Sequence, residues 1–218
     1  EILIHGAADE DVDLSAEPQY NYVKFPLQEM LERGYFPDFA GGVKQVREYA
    51  EELVRKFMHG TFWNNSRPAF LRARLHQSGS RVMDEHALLA WCVAVVKKAR
   101  SRKLATSYKE GTITESWLHD LAKLSRFEQG PQLAQEFLAD SGIALVVEHH
   151  FKKTYLDGAA MLDSHTPIVA LTLRHDRLDN FWFALMHELI HVRKHLHPSQ
   201  LFIADNLDDK TRSSKQEQ

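Results

Sequence analysis

The chain has 218 residues, 44% of them hydrophobic and 26% charged, which supplies a packed core for one domain or two small ones and excludes a disordered chain. A formal net charge of -3 names neither nucleic acid nor a membrane as a bulk electrostatic partner. The single cysteine, Cys92, excludes a disulfide framework and reads as a buried thiol in the apolar run 87–93. No apolar run nears the roughly 20 residues of a membrane span, and Ile2, Leu3 and Ile4 lack the flank and cleavage site of a signal peptide. The expected location is therefore cytoplasmic, with no membrane partner.

Residues 1–23 are acidic, with Asp9, Glu10, Asp11, Asp13 and Glu17 ahead of Pro18, and read as a linker or extended arm. Phe25 and Pro26 open a short helix that Gly34 stops. After Gly41 and Gly42 the spacing of Val43, Val46, Ala50, Leu53, Val54 and Phe57 predicts a helix ending near Gly60. Asp84 caps a longer helix over 85–103, whose stripe is Leu88, Trp91, Cys92, Val95, Val96 and Ala99. Two more helices are expected over 115–124 and 131–141, the second closed by Gly142.

The period then changes. Segments 143–149 and 167–173 read as strands, with a weaker strand over 159–162 following the turn signal Asp157, Gly158. A final helix is predicted over 178–195, which Pro198 keeps from extending, and 205–218 read as a solvated tail. Helices first and then a small sheet with a helix packed on it define an α+β fold class. The expected organisation is an arm (1–23), a helical region (24–127) and a C-terminal unit (128–218). Between Lys44 and Lys103 there are 13 Lys and Arg against 5 Asp and Glu, a local excess that suits either a solvated helical surface or a surface for an acidic partner or nucleic acid.

The segment 181–192 carries the chemistry. It contains His187, Glu188 and His191 in the spacing HExxH on a predicted helix. Histidines four apart share one helix face, so both imidazoles reach one ion, and neutral imidazole suits zinc. Glu188 lies about 100° further round the helix, placed to act as general base rather than ligand. The stripe Leu178, Trp182, Leu185, Leu189, Val192 and Leu196 is expected to face the core, with both histidines almost opposite it. A third ligand has several candidates. His197 stands at the HExxHxxGxxH position, but Lys194 occupies the glycine of that pattern and no methionine follows Met186. His195 reads as a histidine of the helix end, and Asp205, Asp208, Asp209 and Glu217 are the downstream carboxylates. Tyr155, His149, His150 and His165 lie in the region of an oxyanion stabiliser, each more simply read as structural or exposed.

Pro167, Ile168, Val169, Ala170 and Leu171, then Arg174, Arg177, Phe181 and Phe183 leading into His187, Glu188 and His191, resemble the ImmA/IrrE (DUF955) family of bacterial metallopeptidase domains. The likeness extends over 128–218, with Gly158 and the segments 128–140 and 143–147 similar to that family's opening helix and strands. Lys24, Phe25, Pro26 and Arg33, Gly34, Tyr35, with Trp91 and the Lys97–Lys98 pair, are similar to the region that follows the helix-turn-helix of HigA-type antitoxins fused to such a domain. The resemblance implies a small zincin-like domain, zinc held by His187 and His191, and Glu188 as catalytic base. It also implies a glutamate as third ligand on a later helix: Glu217, or a residue beyond Gln218 in a longer natural chain. The expected activity is zinc-dependent hydrolysis of a regulatory protein, a repressor or toxin, by part of a transcriptional regulator or antitoxin that would reach DNA through a helix-turn-helix ahead of Glu1. The alternative is a non-catalytic, partner-binding module of such a regulator.

Overall fold

The computed structural model describes residues 20–61, 83–172, 174, 177–196 and 202–205. Most of the acidic arm, part of the basic region, and His197, Asp208, Asp209 and Glu217 lie outside the described residues. Six α-helices and four strands are found among those described: α1 (Leu27–Glu32), α2 (Ala50–Met58), α3 (Glu85–Arg100), α4 (Glu115–Lys123), α5 (Gly130–Asp140), β1 (Ala144–Val147), β2 (Gly158–Asp163), β3 (Thr166–Leu171), α6 (Leu178–Lys194) and β4 (Phe202–Asp205). The fold is mixed helix and sheet, as expected.

The strands form one sheet in the order β1-β3-β2-β4. β1 runs parallel to β3, while β2 is antiparallel to both β3 and β4. Side chains alternate across a strand, and here the alternation divides the core in two. Ala144, Val146, Ala159, Met161, Ile168, Ala170 and Phe202 pack with α2 and α3. Leu145, Ala160, Val169 and Leu171 pack on the other face with α4, α5 and α6. The sheet is therefore covered on both faces, which explains why its strands are apolar throughout rather than half polar. Residues from before and after position 127 share the first of these clusters.

α3 shows why this layer is buried. Asp84 caps it by accepting from the backbone N–H of His86 and Ala87 at 3.0 and 3.1 Å. Every residue from Ala87 to Val96 is buried, so the helix is apolar all round, as a helix packed on several sides must be. Trp91 is fully buried and its indole N–H donates to the Glu148 carbonyl at 2.9 Å. Cys92 is buried in the same helix, and burial pushes its thiol pKa well up.

Polar contacts lock the helical layer to the sheet. The buried Glu148 carboxylate accepts from the Tyr35 hydroxyl at 2.6 Å and pairs with Lys98 at 2.5 Å and Arg33 at 3.5 Å. Burial, then the bond to Glu148, raises the Tyr35 pKa. Arg33 also donates to the carbonyls of His149 and His150 at 2.7 and 2.8 Å and lies 4.0 Å over the Phe151 ring. Arg100 holds Asp163, at the β2–β3 hairpin, through two bonds of 2.6 and 2.7 Å.

Three expectations are corrected. Residues 43–49 form turns rather than the first half of a helix: Val46 is buried but Val43 is exposed, and the two glycines ahead of them do not favour starting a helix there. β4 is a strand over residues for which no element was expected, its last residue Asp205 read as the start of a solvated tail; β2 offers it an edge. β2, read as the weaker strand, is central and pairs on both sides.

Gly142 closes α5 with φ +75°, and a Cβ there would stand 2.3 Å from the Tyr108 backbone nitrogen. Gly142→Ala is expected to lower stability by about 1–3 kcal/mol, read as a lower denaturant midpoint at unchanged slope.

Candidate functional site

α6 is placed by its ends and its buried face. Arg177, just ahead of it, holds Asp179 at 2.6 and 3.1 Å, and the Asp179 carboxylate also accepts from the Asn180 N–H at 2.9 Å. The guanidinium holds the Asp179 pKa below its ordinary value. An acidic first turn and a last turn carrying His191, Arg193 and Lys194 both suit the helix dipole.

The buried residues of α6 are Phe181, Ala184, Leu185, Glu188, Leu189 and Val192. This corrects the expected stripe, since Leu178 is exposed and Trp182 only half-buried. The core-facing direction is rotated toward Glu188. The histidines consequently flank the buried face rather than oppose it, and both are half-buried. Helical periodicity cannot find this from hydrophobicity alone, because a glutamate counts as polar wherever it sits.

Glu188 is 0% exposed. The reason its carboxylate fits under a helix packed on a sheet is Gly158. Positions 158 and 160 of β2 face α6, and a Cβ at Gly158 would lie 2.9 Å from both Cγ and Oε1 of Glu188 and 3.1 Å from the Ala170 carbonyl. Gly158 was read in the sequence as a turn signal and a family-like position. The structure gives it a physical task, to leave the volume that the Glu188 side chain fills.

His187 and His191 converge. Their Nε2 atoms are 3.1 Å apart and their rings cross at 80°. Two nitrogens bound at 2.0–2.1 Å to one tetrahedral ion stand about 3.3 Å apart, so the pair fits a shared ion with little adjustment. The same separation also suits a hydrogen bond between complementary tautomers. Phe183, exposed, stacks near His187 at 6.4 Å, and His195 lies 5.7 Å from the His191 ring.

Among the described residues no group of three or more His, Cys, Asp or Glu side chains gathers in a metal-binding arrangement. Of the third-ligand candidates, His195 ends α6 beside His191, and of the downstream carboxylates Asp205 alone has a described backbone: it ends β4 in register with Gly158, the residue against which Glu188 packs. His165 sits in the hairpin turn at the far end of β2 from Gly158. His149 and His150 lie on the connection that Arg33 holds, and Tyr155 packs against the core cluster on the opposite face of the sheet from α6.

Comparison of the chain with family models, with curated proteins and with solved structures found no match. Among the described residues no helix is long and apolar enough to cross a membrane.

The packing of Glu188 on Gly158 predicts coupling. Gly158→Ala is expected to cost about 1–3 kcal/mol in the native protein and less in a Glu188→Ala background. A double-mutant cycle by chemical denaturation measures this, and equal costs in both backgrounds would show that the carboxylate does not occupy that space.

Proposed function

We propose that the chain is a zinc-dependent metallopeptidase domain that hydrolyses a regulatory protein, a repressor or toxin, as part of a cytoplasmic bacterial regulator of the ImmA/IrrE kind. The observation that supports this reading is the pair of imidazole Nε2 atoms 3.1 Å apart on α6 beside the buried Glu188 carboxylate.

His187 and His191 would hold zinc through their converging Nε2 atoms. Zinc, when bound, supplies a Lewis acid that acidifies water and polarises a peptide carbonyl. Glu188 accepts the proton of the attacking water on its carboxylate and passes it to the departing amine. Gly158 and the sheet behind it hold that carboxylate in place on α6. The exposed Phe183 ring beside His187 offers an apolar surface to a substrate side chain.

A partner-binding module without turnover is the second reading. It is favoured by the complete burial of Glu188, which a base working on water must at least partly relieve.

Elemental analysis of metal-stripped, zinc-reloaded protein separates the readings. The expected result is about one zinc per chain, lost in His187→Ala and kept in Glu188→Gln. With a cleaved regulator in hand, Glu188→Gln is expected to lower kcat about 10²–10⁴-fold. Zinc binding without cleavage of any co-encoded regulator supports the partner-binding module, and failure to bind zinc sinks the peptidase reading.

A further inference from the structure

β1 lies at one end of the sheet, two strands away from the Gly158 edge of the candidate site. Its register with β3 is parallel, pairing Val147 with Leu171, and the Glu148 N–H donates across to the Leu171 carbonyl at 3.0 Å. In such a ladder Ala144, Val146 and Glu148 direct their backbone groups to β3, so those of Leu145 and Val147 point to the outer edge. Among the described residues no strand pairs with that edge.

A groove of about 460 Å³ runs along it. One wall is the C-terminal end of α3 and the residues after it, with Lys98, Arg102 and Lys103; the other is α5, with Gln135. The Arg102 Nε is buried and makes no hydrogen bond among the described residues. Neither a carboxylate nor an aromatic ring is found among the described residues that line the groove.

We propose that this edge is a docking site for an acidic, extended segment of a partner protein, which adds to the sheet beside β1. The backbone N–H and C=O groups of Leu145 and Val147 supply the main-chain bonds, and the basic wall selects acidic side chains on one side of the incoming strand. The charge argues for this occupant over the others. Lys98 is already paired with Glu148, and a second copy of this chain would set Arg102 and Lys103 against their own counterparts, which repel. A single-stranded nucleic acid would find cations but, among the described residues of the groove, no ring on which to stack its bases.

The test uses the full chain and a fluorescent peptide of alternating Glu and Val, with alternating Lys and Val as control. The acidic peptide is expected to bind with an affinity that falls about tenfold or more in the Arg102→Glu, Lys103→Glu double variant, and that weakens as salt rises. Val147→Pro removes an outward N–H while leaving the ladder to β3 intact, and is expected to weaken binding at an unchanged circular-dichroism spectrum. Loss of fold in Val147→Pro leaves the double variant, whose substitutions fall outside the sheet, as the deciding measurement. Equal binding of the basic peptide, or no binding of the acidic one, overturns the proposal. So does preferential binding of oligothymidine, or a concentration-dependent dimer that the double variant strengthens. Zinc content is expected to be the same in every variant, so the result stands apart from that of the metal site.

Discussion

A sheet covered on both faces governs this molecule. Neither helical layer can be removed without exposing a row of Ala, Val, Ile and Leu side chains, because the alternation of each strand sends one set to α2 and α3 and the other to α4, α5 and α6. Glu148 marks the seam between the layers. A carboxylate that is 3% exposed needs compensation, and it receives it from Tyr35, Lys98 and Arg33, all from the helical layer. The helices ahead of the sheet are thus part of its foundation, and the end of β1 is fixed by groups fifty positions earlier or more than a hundred.

The candidate site uses the opposite face. α6 must bury one side on β2 and β3, yet the side it buries includes a glutamate. The volume that glutamate needs is left by the absent side chain at Gly158. Placing the acid in the buried face swings the two histidines to its flank, where they remain half-buried and close together. A fully buried residue and two half-buried ones thus sit side by side on one stretch of helix.

Much of this was legible because local and global signals agree. α3 begins at Glu85 behind the cap expected at Asp84, and α4, α5 and α6 fall within a few residues of their expected limits. β1 and β3 were visible as short apolar runs flanked by turn residues. What escaped depends on tertiary partners. β4 has four residues and draws its stability from pairing with β2. The turns over 43–49 carry a partial helical spacing that the fold does not use. The rotation of α6 depends on Gly158, more than twenty positions away in sequence, and pairwise complementarity of that kind leaves no period to read.

Cys92 has a consequence of its own. It is the chain's only thiol, it sits where α3 is buried on all sides, and burial disfavours its thiolate. A thiol reagent therefore meets it only when the central layer opens, so its labelling rate counts those openings. The folded molecule carries an internal clock for its own breathing, one that requires no engineered probe.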